Sequence, residues 1–200
     1  MIKTGIFGGA FNPVHNGHVH LAREAAAQLR LRKLMIIPTY ASPHKDTVLA
    51  PFEQRMELCE RAFSEIPKCE VEISDIERGM GGVSYTINTL RELKRQHPDR
   101  QFFLLIGGDM LYSFREWFKY ESILKECKVC AVARGSDSFT DMLEFANEMG
   151  HVKVLPTEAV DVSSTEIRAK IAGGEDISEL VPKAVSEYIS GNRMYGGEPK

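Results

Sequence analysis

Apolar runs short enough to be strands alternate with segments of helical periodicity along nearly the whole chain, and this alternation constrains the fold more than any other property of the sequence. Ile2 to Phe7 is β-favouring and stops at Gly8-Gly9, after which Val19, Ala22, Ala26 and Leu29 recur at helical spacing. Lys33 to Ile37 reads as a second strand ended by Pro38, and Phe52 to Phe63 as a second helix. Glu70-Val71-Glu72-Ile73-Ser74 alternates at period two, as a half-exposed or edge strand does. Ser84 to Gln96 is a third helix and Gln101 to Ile106 a strongly apolar central strand. A short helical region leads to the strand Lys128 to Ala133, and a helix from about Ser138 to Met149 leads to the strand His151 to Leu155. Helices over Ser163 to Ala172 and Pro182 to Ser190 close the chain. Such alternation predicts one Rossmann-like, doubly wound α/β domain over residues 1–200: a mostly parallel sheet with helices on both faces, the helices from about 163 belonging to the same unit.

Ligands of such sheets bind beyond the carboxyl ends of the strands, at a reversal of strand order. The sequence places its unusual residues there. Gly8 and Gly9 end the first strand, Pro38 to Lys45 follows the second, Gly107-Gly108-Asp109 follows the central one, and Arg134 follows the Cys130 strand. His15 and His18 fall at the first turn of the first helix, where unpaired N–H groups and the helix dipole attract anions. Taken singly, Gly8-Gly9 also suits a tight turn, and each histidine a surface or core position. Gly79-Met80-Gly81-Gly82 reads as a flexible loop.

Composition narrows the classes of partner. The net charge of −3, with no long Lys/Arg run, argues against a nucleic-acid groove. No stretch approaches the roughly 18 apolar residues of a membrane span, and no basic-then-apolar leader is present, so a soluble, cytoplasmic protein is expected. Cys59, Cys69, Cys127 and Cys130 form no secreted disulfide pattern. Cys127 and Cys130 lie in what looks like a buried strand, where positions three apart face opposite ways, so ordinary reduced thiols are expected. His15 and His18 have no third partner at familiar zinc-ligand spacing, and no protein-held metal is expected.

Val162-Ser163-Ser164-Thr165-Glu166-Ile167-Arg168 is the second informative block. Ser163 or Ser164 can cap a helix, with Glu166 completing a capping box. The same hydroxyls, with Arg168 one turn on, also make an anion cradle.

Gly8-Gly9-Ala10-Phe11-Asn12-Pro13-Val14-His15-Asn16-Gly17-His18 resembles the G-G-x-F-(D/N)-P-x-H-x-G-H block of the H-x-G-H nucleotidyltransferase superfamily, and Ser163 to Arg168 resembles its S-S-T-x-(I/V)-R motif. Pro38 to Lys45 is similar to the P-x-x-x-x-P-H-K segment, and Ser84 to Leu90 to the S-Y-T-x-x-T-(L/I/V) segment, of the nicotinate mononucleotide adenylyltransferases. The resemblance covers the chain from Gly5 to the final helix. It implies transfer of AMP from ATP, carrying Mg²⁺, to nicotinate mononucleotide. His15, His18, Lys45 and Arg168 would be catalytic. Gly8, Gly9, Ala10, Phe11, Gly107, Asp109, Arg134, Ser163, Ser164 and Thr165 would join them, without Lys45, around ATP. Lys45, Thr86, Tyr112 and Trp117 would hold the pyridine nucleotide. A homodimer is compatible with the sequence. Ala10, Asn12, Gly108 and the Arg134-Gly135 turn depart from the common pattern, and Asn12 removes a carboxylate that could have met a metal.

Three rival readings share parts of this pattern. A sister transferase with a phosphopantetheine or nicotinamide mononucleotide acceptor would keep the phosphate motifs. A class I aminoacyl-tRNA synthetase fragment would need a K-M-S-K-S-like loop, which is missing. A non-catalytic dinucleotide sensor would show G-x-G-x-x-G and an acidic residue near Ile37, and neither is present.

Overall fold

In a computed structural model, which describes residues 1–42, 48–133, 138–158 and 160–196, six strands form one sheet in the order β3-β2-β1-β4-β5-β6. The strands are β1 (Ile2–Gly9), β2 (Lys33–Pro38), β3 (Glu70–Ile73), β4 (Arg100–Gly107), β5 (Lys128–Val132) and β6 (Val152–Leu155). All five pairings are parallel, so among the described residues the sheet is wholly rather than mostly parallel. Helices α1 (Asn16–Leu29), α2 (Phe52–Ala62), α3 (Ile76–Met80), α4 (Thr86–Gln96), α5 (Gly108–Tyr112), α6 (Tyr120–Glu126), α7 (Phe139–Met149), α8 (Ser164–Ala172) and α9 (Lys183–Gly191) connect or follow the strands.

Alternating strand residues bury on opposite faces and nucleate two cores. Phe7, Leu34, Ile36, Phe103, Leu105, Cys130 and Val132 meet α1, α2, α8 and α9. Ile6, Met35, Ile37, Leu104, Ile106, Val129 and Ala131 meet α4, α5, α6 and α7. The sheet is therefore doubly wound. Ile167, Val185 and Ile189 place α8 and α9 in the first of these cores, against α1 and α2. The edge strand β3 shows the half-exposed alternation its sequence implies. Gly79 and Met80, expected in a loop, close the single-turn helix α3, and only Gly81 and Gly82 adopt the positive φ of a break.

The strand order reverses between β1 and β4, because the chain moves outward through β2 and β3 on one side and through β5 and β6 on the other. A crevice opens at the carboxyl ends of such a pair. At the opposite edge, Lys3 Nζ donates to the Leu29 carbonyl at 3.1 Å and Lys94 Nζ to that of Glu126 at 3.3 Å. Basic side chains there complement helix C-termini, whose dipoles favour cations.

Candidate active site

His15 is the extended N-cap of α1 (φ −147°, ψ 173°) and is 3% exposed. Its carbonyl accepts from the His18 N–H at 2.9 Å, and its own N–H donates to His18 Nδ1 at 3.3 Å. That second bond selects the tautomer of His18. With Nδ1 accepting, the neutral ring carries its proton on Nε2, where it is a donor. The two imidazoles stack with centroids 3.7 Å apart. Between them in sequence, Gly17 is needed for a physical reason: a Cβ would lie 3.1 Å from His15 Nδ1 and 3.2 Å from its Cε1. Phe11 and Phe7 meet the His18 ring at 5.1 and 6.0 Å. Phe11 is 1% exposed and adopts φ +45°, a left-handed backbone that a bulky residue rarely takes. A Cβ on Gly9 would come within 3.3 Å of that ring, so the second glycine makes room for Phe11.

Three carbonyls of this loop are held by side chains from distant elements. Arg55 Nη1 donates to Ala10 at 2.9 Å, Arg168 Nη1 to Asn12 at 2.8 Å, and Ser164 Oγ to Pro13 at 2.8 Å. In a trans peptide the C=O and N–H point in opposite directions, so holding the Ala10 and Pro13 carbonyls turns the Phe11 and Val14 N–H groups the other way. A loop that receives an anion must direct its N–H groups, not its carbonyls, at it. Asn12 is buried and uses both ends of its amide: Oδ1 accepts from Ala50 N and Tyr195 OH, each at 3.0 Å, and Nδ2 donates to Val48 O at 3.2 Å. A carboxylate would lose that donor, which gives asparagine a structural reason at this position.

At the start of α8 the three hydroxyls divide their work. Ser163 is the N-cap and accepts from Glu166 N at 3.1 Å. Ser164 commits its only proton to Pro13 and so fastens α8 to the loop. Thr165 Oγ1 accepts from Arg168 Nη2 at 3.2 Å. A guanidinium has five N–H donors, so these two bonds do not exhaust Arg168. The two blocks, about 150 residues apart in sequence, are thus drawn together.

Gly107 is the buried N-cap of α5 and Asp109 lies exposed in its first turn, at the end of β4. Thr86 opens α4, and that helix start is tied to the end of β2: Ser84 N donates to Ala41 O at 2.9 Å, and Ala41 N to Ser84 Oγ at 3.2 Å. Tyr85 and Phe118 meet with tilted rings, centroids 4.7 Å apart, joining the segments that carry Thr86 and Trp117. Trp117 rests partly buried on Phe114, with ring centroids 5.1 Å apart. The Tyr112 ring lies 5.3 Å from that of Phe145 of α7. Gly8 and Ala10 flank the end of β1. Lys45 and Arg134 lie outside the described residues.

Two buried groups were not anticipated. Arg55 reaches three carbonyls from α2. Glu77 accepts from Thr89 Oγ1 at 3.0 Å and Tyr40 N at 3.1 Å, bracing the end of β2 against α4. A signal for Arg55 was present: it shares one helical stripe with Phe52, Cys59 and Ala62, all buried. The cysteines are all free, with Cys130 in one core and Cys127 packed against the other. Burial pushes the Cys127 thiol up to about 12 and that of Cys130 to about 11, so both stay protonated at neutral pH. Among the described residues no cluster of three or more His, Cys, Asp or Glu could hold a metal, and no helix is long and apolar enough to cross a membrane.

A loop at the switch point of a Rossmann-like sheet, with helix starts beside it, suits an anionic ligand, and the cytidylyltransferase-like family model, which matches residues 6–170, places the chain in a nucleotidyltransferase class. More narrowly, the chain belongs to the nicotinate-nucleotide adenylyltransferase family. It is 35% identical to the probable nicotinate-nucleotide adenylyltransferase of Geobacter sp. (strain M21), over 97% of this chain and 98% of that one. It is 36% identical to the same-named protein of Citrifermentans bemidjiense, with the same coverage. The fold matches that of Plasmodium falciparum nicotinic acid mononucleotide adenylyltransferase complexed with NaAD, with a TM-score of 0.82, 18% identity and 98% of both chains covered.

Proposed function

We propose that this protein transfers the adenylyl group of ATP to nicotinate mononucleotide, releasing pyrophosphate and forming deamido-NAD, a step of NAD biosynthesis. The observation that carries this reading is the loop from Gly9 to His18, its carbonyls fixed from behind and its His18 ring set with Nε2 as a donor. The phosphate of the mononucleotide is already ionised at neutral pH. It can attack the α-phosphorus in line, without a protein nucleophile or covalent intermediate. Catalysis then consists of positioning two anions and stabilising the charge that develops on the reacting phosphorus and leaving group.

In this reading His18 and His15 meet the α- and β-phosphates. The α8 start, through Ser163, Thr165, Arg168 and the backbone at Ser164, takes the triphosphate with Lys45. Gly107 and Asp109 receive the ribose, and Arg134 lies near adenine. Thr86, Tyr112 and Trp117 receive the nicotinate nucleotide. The donor set is cationic and neutral, which fits Mg²⁺ arriving on the phosphate oxygens, where it would offset their charge. Asn12 does not offer a spare oxygen, since its Oδ1 already accepts two hydrogen bonds.

Pyrophosphate release from Mg·ATP should be fastest with nicotinate mononucleotide, slower with its amide, and absent with phosphopantetheine. Release with phosphopantetheine alone would make the protein a sister transferase. No release with any acceptor would favour a nucleotide sensor. Trp117→Ala should raise KM for the pyridine nucleotide by about tenfold and leave that for ATP nearly unchanged, because a pyridinium over an indole face gains stacking and cation–π energy of roughly 1 kcal/mol or more. Equal damage to both KM values would assign the ring to the framework.

A further inference from the structure

We propose that Arg55 is a positioning residue for adenylyl transfer, whose guanidinium fork sets the anion-receiving loop after β1 against the end of β2. The inference rests on the adenylyl-transfer reading above. Nε donates to Ala50 O at 2.9 Å, Nη1 to Ala10 O at 2.9 Å and Nη2 to Thr39 O at 2.8 Å. Each of these carbonyls belongs to a different segment: the loop after β1, the end of β2, and the approach to α2. Thr39 and Ala50 also bracket the stretch that carries Lys45. One planar group therefore fixes the separation of both arms of the site.

Packing alone does not account for an arginine here. Its residue exposure is 1%, and it forms no salt bridge with a carboxylate among the described residues. Glu77 and Glu53 favour its charge through longer-range electrostatics, yet burying a cation without a direct ion pair is costly, and an apolar side chain on this stripe of α2 would pack beside Phe52 and Cys59 without that penalty. Burial lowers the affinity of the guanidinium for its proton, yet arginine remains charged at any physiological pH. The fork offers what an apolar residue cannot. It turns the Ala10 carbonyl inward, so the Phe11 N–H faces away from the core, and it adds a fixed positive charge behind a site that receives a triphosphate.

The test is Arg55→Lys, which keeps the charge and loses the planar fork. Three measurements are compared with the wild type: the thermal unfolding midpoint, steady-state kinetics, and binding of a non-hydrolysable α,β-methylene analogue of Mg·ATP. The expected variant unfolds cooperatively within about 5 °C of the wild type. It binds the analogue about tenfold more weakly and loses about tenfold in kcat, while KM for the pyridine nucleotide moves less than about threefold. Arg55→Met should lose at least as much. Wild-type analogue affinity and kcat in Arg55→Lys would overturn the proposal. So would a uniform loss for both ligands in step with lost folded protein, or failure of Arg55→Lys to fold, since each assigns Arg55 to the framework alone. The analogue-binding arm involves no acceptor. A wrong acceptor assignment would therefore show as absent wild-type turnover with nicotinate mononucleotide and leave this comparison readable.

Discussion

His18→Ala should lower kcat by about 10²-fold or more, with smaller changes in either KM and with cooperative unfolding retained. The size of the effect follows from what the ring is prepared to do. The His15 N–H holds Nδ1, so Nε2 is committed as a donor before substrate arrives, and Phe11, Phe7 and His15 hold the plane of the ring. A donor fixed in advance stabilises charge as it develops without reorganisation, which makes its loss a kcat effect. The residue is only partly buried and sits in the first turn of α1. Its removal forfeits one capping interaction, worth about 1 kcal/mol, which a domain of this size survives. Steady-state kinetics with both substrates, beside a thermal melt, measures each part. Turnover near the wild-type value would take His18 out of the chemistry.

Legibility from sequence varied with the range of the interaction. The βα alternation rests on local periodicity and predicted the doubly wound sheet, while the period-two pattern of β3 and the hydroxyls before α8 predicted a half-exposed or edge strand and a cap by Ser163 or Ser164, of which the structure selects the edge and Ser163. The α3 turn was missed because Gly79 to Gly82 has the composition of a loop, although Gly79 and Met80 still complete one helical turn. The hydroxyls of Ser163, Ser164 and Thr165 look alike in sequence, and only the position of the Pro13 carbonyl distinguishes them. The partners of Asn12 lie 36, 38 and 183 residues away, so no local pattern could reveal them. Tyr195 is an example: a single tyrosine between Met194 and Gly196 gives no hint that its hydroxyl reaches the loop after β1. The same distance dependence hid Arg55. Its burial was readable from the helical stripe, but the three carbonyls it serves were not.

Arg168→Ala should weaken ATP binding and lower kcat/KM for ATP by about 10²-fold, with Arg168→Lys recovering only a small part. The side chain has two tasks at once. Nη1 holds the Asn12 carbonyl and Nη2 meets Thr165, while the remaining N–H donors serve the triphosphate in the proposed reaction. Each hydrogen bond to a charged partner is worth about 1.5–3 kcal/mol, or roughly ten- to a hundredfold in affinity. Loss of the Asn12 contact adds to this by releasing the loop. An ammonium is a point donor and cannot span the carbonyl, the hydroxyl and a phosphate from one plane, so lysine restores charge without restoring geometry. The comparison that isolates the two tasks is Ser164→Ala. That change removes only the fastening of α8 to Pro13 and leaves every guanidinium donor in place, so it should lower kcat/KM for ATP by about tenfold or less. If Arg168→Ala and Ser164→Ala proved equal in effect, Arg168 would be a loop fastener and the triphosphate would have to be held elsewhere. A tenfold gap between them is the signature of direct contact with ATP, because the fastening function is common to both side chains and the donor array belongs to the arginine alone.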